Sequence, residues 1–230
     1  MNIILTSGPN FSKKVNEDRK AIKLENKDLI EQLKKNVSKF DNLLFICSDP
    51  YAYEKNEEFA KTIEKSLSLS GIKFNYSDLL DSRNWLFTKS LVNNSDLIIL
   101  LGGDPLCQMD FFNSIELKNK LKGFKGCIMG ISAGSINLAN KVYCSADDDI
   151  PNTSRYKGLG LTDISIEPHF DKENSDRINN ILLNDSKTSP FIALENESFI
   201  VINDNGISLY GDGYYFCEGN YKKVEDINNK

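Results

Sequence analysis

Four runs of apolar residues, each of strand length, constrain the fold of this chain more than any other feature of its sequence. They occupy residues 3–6, 43–47, 97–101 and 127–131. Each run is nearly continuous rather than alternating with polar residues, which is typical of strands buried on both faces of a parallel sheet. Two segments between these runs, residues 27–39 and 57–70, have apolar residues at helical spacing and are predicted to be helices. The pattern predicts an α/β fold, a three-layer sandwich with a mostly parallel central sheet and helices on both faces.

The last third of the chain has a different pattern, in which short β-like runs are separated by turn signals. The runs are residues 191–194, 198–203, 207–210 and 214–217. Turn-forming Asn, Asp and Gly between them predict C-terminal antiparallel hairpins, which we expect at the end of the same sheet. No Pro/Ser-rich linker divides the chain, so residues 1–230 are interpreted as a single α/β hydrolytic domain.

Composition excludes several classes of function. The net charge is −5, and an acidic surface disfavours binding to nucleic acid. Five widely spaced cysteines and one histidine predict neither a disulfide framework nor a zinc site, so no metal and no cofactor are expected. No apolar stretch approaches the roughly 18 residues that would suggest a membrane span. We therefore expect a soluble cytoplasmic protein without nucleic-acid or membrane partners.

A serine within a glycine-rich turn is the first candidate for chemistry. Gly130-Ile131-Ser132-Ala133-Gly134 follows the fourth apolar run and has the pattern G-x-S-x-G. A strand that leads into this pattern and a helix that leaves it are typical of a nucleophile elbow, in which flanking glycines give the strained turn its space. The alternative is a tight glycine turn with an inert serine. Placement at a strand end favours Ser132 as a nucleophile.

His169 is the single histidine of the chain and lies at the end of another strand-like run. An elbow serine needs a base, and imidazole is the usual one, so His169 is the candidate. The alternative is a histidine that is merely hydrogen-bonded near a strand end. A carboxylate is expected to hold the second ring nitrogen, and Glu195, Asp147 and Asp171 remain open for this role. Glu195 is favoured because it follows a strand-like run, and Glu167 could line the pocket.

Two backbone N–H groups are expected to form an oxyanion hole. Ala133, directly after the nucleophile, supplies one, and Gly103 in the segment Gly102-Gly103-Asp104-Pro105 is the candidate for the other. Asp104 and Pro105 have the pattern of a helix N-cap and first helical residue. A simple β-to-α turn explains this segment equally well.

Taken together, these segments resemble the S51 serine peptidases. The resemblance rests on residues 102–104, 130–134 and 168–170, which occur in the family's order. The family contains the aspartyl dipeptidases (peptidase E) and the cyanophycinases, and its fold is like that of class I glutamine amidotransferases. The resemblance implies Ser132 as nucleophile and His169 as base.

The resemblance also implies further site residues. It assigns the oxyanion hole to Gly103 and Ala133, and it favours Glu195 as the acid with Asp147 as second choice. Aspartyl dipeptidases hold the acidic side chain of their substrate with an arginine after the histidine segment. Here Arg177 is the candidate, with a helix-surface position as the alternative. Gly102, Asp104 and Glu167 complete the predicted substrate site, and the expected partner is a small peptide.

Three other functions remain open at this point. An esterase or amidase could use the same triad, and a catalytically silent ligand-binding domain could share the fold. A glutamine amidotransferase is disfavoured because its nucleophile would be cysteine at position 132. A homodimer is compatible with the sequence.

Overall fold

The computed structural model describes residues 1–16, 18–147 and 152–225. Strands and helices contribute about equally to the regular structure of these residues. In chain order the strands are β1 Asn2–Thr6, β2 Ser12–Val15, β3 Asp18–Ala21, β4 Asn42–Ile46, β5 Tyr76–Leu80, β6 Leu97–Leu100, β7 Cys127–Ile131, β8 Lys141–Cys144, β9 Ser154–Lys157, β10 Ile166–Glu167, β11 Phe191–Leu194, β12 Phe199–Asn203, β13 Gly206–Tyr210, β14 Gly213–Cys217 and β15 Asn220–Lys223.

The α-helices vary widely in length. In chain order they are α1 Lys27–Asn36, α2 Tyr53–Leu69, α3 Thr88–Asn94, α4 Pro105–Ser114, α5 Leu117–Lys120, α6 Ala133–Ile136, α7 Ser175–Arg177 and α8 Leu183–Asp185. A 3₁₀ turn, Trp85–Phe87, precedes α3, and a π-helical turn, Ile178–Leu182, joins α7 to α8.

A seven-stranded sheet forms the centre of the molecule, in the order β13-β12-β1-β7-β6-β4-β5. β1, β7, β6, β4 and β5 are parallel, and the β12–β13 hairpin joins β1 in antiparallel orientation. The four apolar runs are continuous because both faces of their strands are buried. In β7, for example, Ile128 packs in one core cluster while Cys127 and Met129 pack in the other. The predicted α/β class is confirmed.

Helices cover the two faces of this sheet. On one face, α1 contributes Leu29 and Leu33 and α2 contributes Ile63 and Leu67 to a shared core. The two residues lie four positions apart within each helix, so each helix presents one apolar stripe to the sheet. On the other face, residues of α3, α4, α5 and α6 pack against the same strands. Both helices of the first face match the predicted amphipathic segments, although α2 begins earlier, at Tyr53.

The C-terminal strands divide between two sheets, which corrects the prediction of one continuous sheet. β12 and β13 extend the central sheet, whereas β11 and β14 belong to a four-stranded sheet in the order β10-β11-β14-β15. The second sheet has its own core, in which Phe191 and Phe216 stack at 5.0 Å between ring centroids. Ile178 and Leu182 of the π-helical turn close this core. The separate aromatic core explains why β11 and β14 leave the central sheet.

The parallel arrangement brings the ends of five strands to one edge. At this carboxyl edge, Ser7 follows β1, Ser132 follows β7, Gly102 follows β6, Ser48 follows β4 and Asp81 follows β5. Ligands gather at such an edge in open α/β folds. Within the part of the chain that the structure describes, no helix is long and apolar enough to cross a membrane.

A buried hydroxyl ties β1 to the segment after β7. Ser135 Oγ accepts a hydrogen bond from the Thr6 N–H at 2.9 Å and donates one to the Thr6 carbonyl at 2.9 Å. Ser135→Ala leaves the buried Thr6 N–H without this acceptor, so we expect a loss of about 1–3 kcal/mol in the free energy of unfolding. Urea denaturation measures it. The exposed Ser114→Ala should change stability by less than about 0.5 kcal/mol, and equal effects of the two variants would contradict the assignment.

Candidate active site

Ser132 occupies a strained turn between β7 and α6. Its backbone angles are φ 50° and ψ −110°, a region that residues with side chains rarely adopt. The flanking glycines are required by space: a Cβ at Gly130 would lie 2.4 Å from the Ser135 nitrogen, and one at Gly134 would lie 2.2 Å from the Leu100 carbonyl oxygen. The turn therefore has the geometry of a nucleophile elbow, as the sequence pattern predicted.

The helix after the elbow is shorter than a typical elbow helix. α6 is a single turn of four residues, Ala133–Ile136. A helix of this length has little macrodipole, because the dipole is the sum over aligned peptide units. Any stabilisation of negative charge beside Ser132 must therefore come from individual N–H groups around the serine and not from a helix dipole.

His169 lies against the serine. Its Nε2 is 3.0 Å from Ser132 Oγ. The histidine backbone has φ 55°, and it is held there by neighbours rather than by its own preference. The His169 N–H donates to Ser7 Oγ at 2.7 Å, and Ser7 Oγ donates to the Leu194 carbonyl at 3.0 Å. Ser7, just after β1, thus links the base to the end of β11.

The partner of the second ring nitrogen is Asn196, and the prediction that Glu195 holds it is wrong. His169 Nδ1 lies 2.7 Å from Asn196 Oδ1. Glu195 instead accepts a hydrogen bond from the Tyr214 hydroxyl at 3.0 Å and pairs with Lys172 at 3.4 Å. The Glu195 carboxylate is therefore engaged elsewhere, while Asn196, the next residue of the connection after β11, reaches the histidine.

The other candidate acids do not replace Asn196. Asp147 lines the same pocket as Ser132 and His169, but Nδ1 is taken by the amide of Asn196. Asp171 accepts from the Glu173 N–H at 2.9 Å, which is a local turn contact. Sequence reasoning missed Asn196 because it sought a carboxylate, although an amide oxygen can accept the same hydrogen bond.

Gly8 forms the floor beneath the histidine ring. A Cβ at this position would lie 2.6 Å from His169 Cε1 and 2.9 Å from Asn196 Oδ1. The absence of a side chain therefore lets the imidazole and the amide pack directly on the backbone after β1. No motif signals this role, since Gly8 and His169 are far apart in the sequence.

The two predicted oxyanion donors both line the pocket beside Ser132. Gly103 has φ 145°, and a Cβ there would lie 2.1 Å from Ser48 Oγ, so only glycine fits. Ala133 follows the serine directly and is buried. Gly102 packs against the elbow strand, where a Cβ would lie 3.3 Å from the Ile131 carbonyl oxygen. Gly103 and Ala133 thus line the same pocket as Ser132, and their role as oxyanion donors stays a prediction.

Asp104 caps a helix, as the sequence predicted. Its Oδ1 accepts from the Leu106 N–H at 2.8 Å and from the Cys107 N–H at 3.0 Å. These bonds direct Oδ1 to the N-terminus of α4. Asp104 therefore fixes the position of Gly103 through the start of that helix.

The pocket at Ser132 is small and contains an internal ion pair. Its volume is about 110 Å³. Glu167 in its wall is 3% exposed and accepts a hydrogen bond from Ser145 Oγ at 2.6 Å. Arg177 Nη2 pairs with Glu167, so Arg177 lines the pocket instead of lying on an open helix surface. Burial raises the pKa of the Glu167 carboxyl, and the neighbouring Arg177 opposes that rise.

Two buried cysteines, Cys144 in the pocket wall and Cys127 at the start of β7, are poor nucleophiles. Burial raises the pKa of the Cys127 thiol to about 12, and burial together with the charge of Glu167 raises the pKa of Cys144 to about 12. A thiol attacks as the thiolate, which is scarce at neutral pH for such groups. This disfavours the cysteine chemistry of a glutamine amidotransferase. Among the described residues, no group of three or more His, Cys, Asp or Glu side chains could hold a metal ion.

Comparison with known proteins decides the family. Residues 3–210 match the model of peptidase family S51. The chain belongs to peptidase family S51. The elbow serine and the histidine beside it lie within the matched range, and the protein is a serine-type peptidase. The resemblance predicted from residues 102–104, 130–134 and 168–170 is confirmed at the level of the family.

Solved structures share the fold of this S51 peptidase. One is a peptidase from an acI-B1 Actinobacterium, with 15% sequence identity and a TM-score of 0.66, covering 98% of this chain and 94% of that one. Another is a protein from Listeria monocytogenes EGD-e provisionally classified as peptidase E, with 17% identity and a TM-score of 0.63, covering 91% of this chain and 98% of that one. No curated protein matches the sequence.

Gly8→Ala tests how closely the histidine is positioned. The added methyl would displace His169 or Asn196, and a misplacement of about 1 Å costs roughly 100-fold in rate. We expect a loss of that order in the rate of labelling by a fluorophosphonate, a probe of activated serines. Gly123→Ala is the control, because a Cβ at this position meets nothing within 4 Å. The backbone of residue 123 has φ +83°, which an alanine adopts only with some strain. This control should lower stability slightly and leave labelling unchanged. Equal labelling of both variants would contradict the role of Gly8.

Proposed function

We propose that this S51 peptidase removes an amino-terminal residue from short peptides, dipeptides being the shortest, through an acyl-enzyme on Ser132. One observation carries the proposal: Ser132 Oγ sits on a strained elbow, 3.0 Å from His169 Nε2. A hydroxyl and an imidazole at this distance are the minimum for nucleophilic catalysis by serine. The family assignment supplies the reaction class, and the pocket supplies the limits on the substrate.

Asn196 fixes the imidazole in the required tautomer. Its amide oxygen accepts from Nδ1–H, so Nε2 presents a lone pair to the serine hydroxyl. During attack, the Ser132 proton moves to Nε2 as Oγ bonds to the substrate carbonyl carbon. The neutral amide orients the ring but does not compensate the positive charge that forms on it, unlike the carboxylate of a Ser-His-Asp triad.

The negative oxygen that forms is stabilised by the N–H groups of Gly103 and Ala133. His169 then donates the proton on Nε2 to the leaving amine, and the C–N bond breaks to give the acyl-enzyme. Water enters, loses a proton to Nε2 and attacks the acyl carbon. Return of that proton to Ser132 Oγ releases the acid product.

The size and charge of the pocket favour a short substrate. A volume of about 110 Å³ accommodates one small residue. Asp147 and Glu167 contribute two carboxylates to its lining, against the one guanidinium of Arg177. This balance favours a cationic amino terminus. Because Arg177 already pairs with Glu167, we expect no strong preference for an acidic first residue.

Labelling with a fluorophosphonate, read by intact mass, tests the nucleophile. Wild type should gain one adduct, and Ser132→Ala should gain none while keeping its melting temperature. Ser114→Ala, which removes an exposed hydroxyl on α4, is the matched control and should label like wild type. A panel of dipeptides and tripeptides with free or acetylated amino termini then tests the substrate. Equal rates of peptide hydrolysis by wild type and Ser132→Ala would refute the proposal.

Substitutions of Asn196 test the orienting amide. Asn196→Ala removes the hydrogen bond to Nδ1, worth about 1.5–3 kcal/mol with a charged partner, so kcat should fall by roughly 10- to 150-fold. Asn196→Asp keeps an acceptor and adds the compensating charge, so it should equal or exceed wild type. The pH dependence of kcat/KM is measured for all three proteins. An unchanged kcat in Asn196→Ala would show that the amide does not orient the base.

A further inference from the structure

We propose that an aromatic groove beside the active site binds an apolar side chain of the peptide, three or four residues beyond the scissile bond. The inference rests on the proposed function and extends its substrate class from dipeptides to short peptides with a downstream apolar residue. The aromatic groove is defined by Tyr51, Tyr53, Trp85, Cys107, Asp110 and Phe111.

The groove has the dimensions and surface of a ligand site. Its volume is about 870 Å³, within the roughly 300–1,000 Å³ of small-molecule pockets. Tyr51 is 73% exposed and Trp85 is 47% exposed. Leu86 and Phe87, adjacent to Trp85, are also exposed. Large apolar side chains clustered at one open surface indicate a binding site rather than scattered surface residues.

The first turns of α4 separate the groove from the catalytic pocket. Gly103 and Pro105 line the pocket at Ser132, whereas Cys107 and Asp110 line the groove. Pro105 and Asp110 are about 7.5 Å apart along the helix axis, at roughly 1.5 Å per residue. The two cavities are therefore neighbours on the same edge of the sheet.

Strand spacing gives the distance from the nucleophile. In the sheet, β7 is followed by β6, β4 and β5, and the groove is lined by the segments after β4 and β5. At about 4.8 Å between strands, these segments lie roughly 10–15 Å from Ser132. An extended peptide spans about 3.3 Å per residue, so that distance corresponds to three or four residues.

The wall of the groove is held in place before any ligand arrives. The Tyr53 hydroxyl and Ser82 Oγ are 2.8 Å apart, and the Arg83 guanidinium lies 4.6 Å from the centre of the Tyr53 ring. Arg83 in turn pairs with the buried Asp81 and with Glu57. A preorganised wall reduces the entropy that a ligand must overcome.

The lining selects an apolar occupant. Within the described part of the chain, Asp110 is the one charged residue that lines the groove. The neighbouring Arg83 does not line the groove and is paired with Asp81 and Glu57, and Asp110 would repel a phosphate or carboxylate. An aromatic side chain can instead stack against Tyr51, Tyr53 or Trp85. The peptide crosses Gly103 with its carbonyl at the oxyanion donors and places its downstream side chain in the groove.

Trp85 is the only tryptophan in the sequence, so its fluorescence reports on the groove directly. The experiment uses full-length Ser132→Ala, which cannot turn over substrate, titrated with amidated pentapeptides. A parent pentapeptide of five alanines is compared with versions that carry Phe or Ser at each position from two to five. We expect Phe at position four or five to change Trp85 emission and to bind at least tenfold more tightly than Ser there.

Two tyrosines of equal exposure provide a matched pair of variants. Tyr51→Ala in the Ser132→Ala background should remove the tenfold advantage of Phe. Tyr76 is 71% exposed and begins β5, whereas the groove is lined by the segment after the other end of β5. Tyr76→Ala should therefore leave binding unchanged. Equal binding of Phe and Ser peptides, or equal effects of the two variants, would overturn the inference. A wild-type dimer that Tyr51→Ala dissociates in sedimentation would also overturn it, because a second copy would then occupy the groove.

The design separates this inference from the proposed function. Binding is measured without the nucleophile, so it does not depend on turnover. Wild type that fails to react with a fluorophosphonate or to cleave any peptide refutes the proposed function, whatever the groove binds. If the wild-type protein reacts with the fluorophosphonate and cleaves dipeptides, but a downstream Phe gives no preference, only the inference about the groove is refuted.

Discussion

The close approach of the elbow to the neighbouring strand is the constraint on which the active site depends. Gly134 leaves no space for a side chain against the Leu100 carbonyl oxygen, 2.2 Å from where a Cβ would lie, and Gly130 is equally crowded by the Ser135 backbone. This packing holds Ser132 at φ 50°, a conformation that an isolated serine would leave. Because the turn cannot relax, the hydroxyl stays at the carboxyl edge of the sheet.

The base is positioned by the adjacent strand rather than by its own segment. β1 pairs with β7 along its length and is followed by Ser7 and Gly8. Ser7 Oγ receives the backbone N–H of His169, and Gly8 gives the ring and Asn196 their space. The paired strands β1 and β7 thus position both the serine and the histidine. Ser135, bonded to Thr6, fastens the elbow to the same strand.

The sequence predicts the parts of this protein that rest on local pattern. Continuous apolar runs indicate parallel strands because burial on both faces leaves no polar positions. The elbow is predictable because glycine is required two residues on either side of Ser132, and His169 because the chain has no other histidine. The placement of β11 and β14 in a second sheet was not predictable, because a short apolar run does not indicate which strand it pairs with. It depends on the aromatic stack of Phe191 and Phe216.

Asn196 is a site residue that the sequence pattern did not predict. Glu195 and Asn196 are adjacent in the connection after β11, and only Asn196 contacts the His169 ring. Neither Ser7 nor Gly8 belongs to a recognisable motif, and the aromatic groove is assembled from three separate segments of the chain. Contacts between distant residues produce all of these features.

The structure of the covalent adduct between the wild-type protein and a small fluorophosphonate would test the central claim most directly. Phosphorus bonded to Ser132 Oγ mimics the tetrahedral intermediate. We expect its phosphoryl oxygen to lie about 2.7–3.1 Å from the backbone nitrogens of both Gly103 and Ala133. We also expect the hydrogen bond between His169 and Asn196 to remain intact beside the adduct. An adduct on another residue, or a phosphoryl oxygen that points away from these two nitrogens, would contradict the central claim.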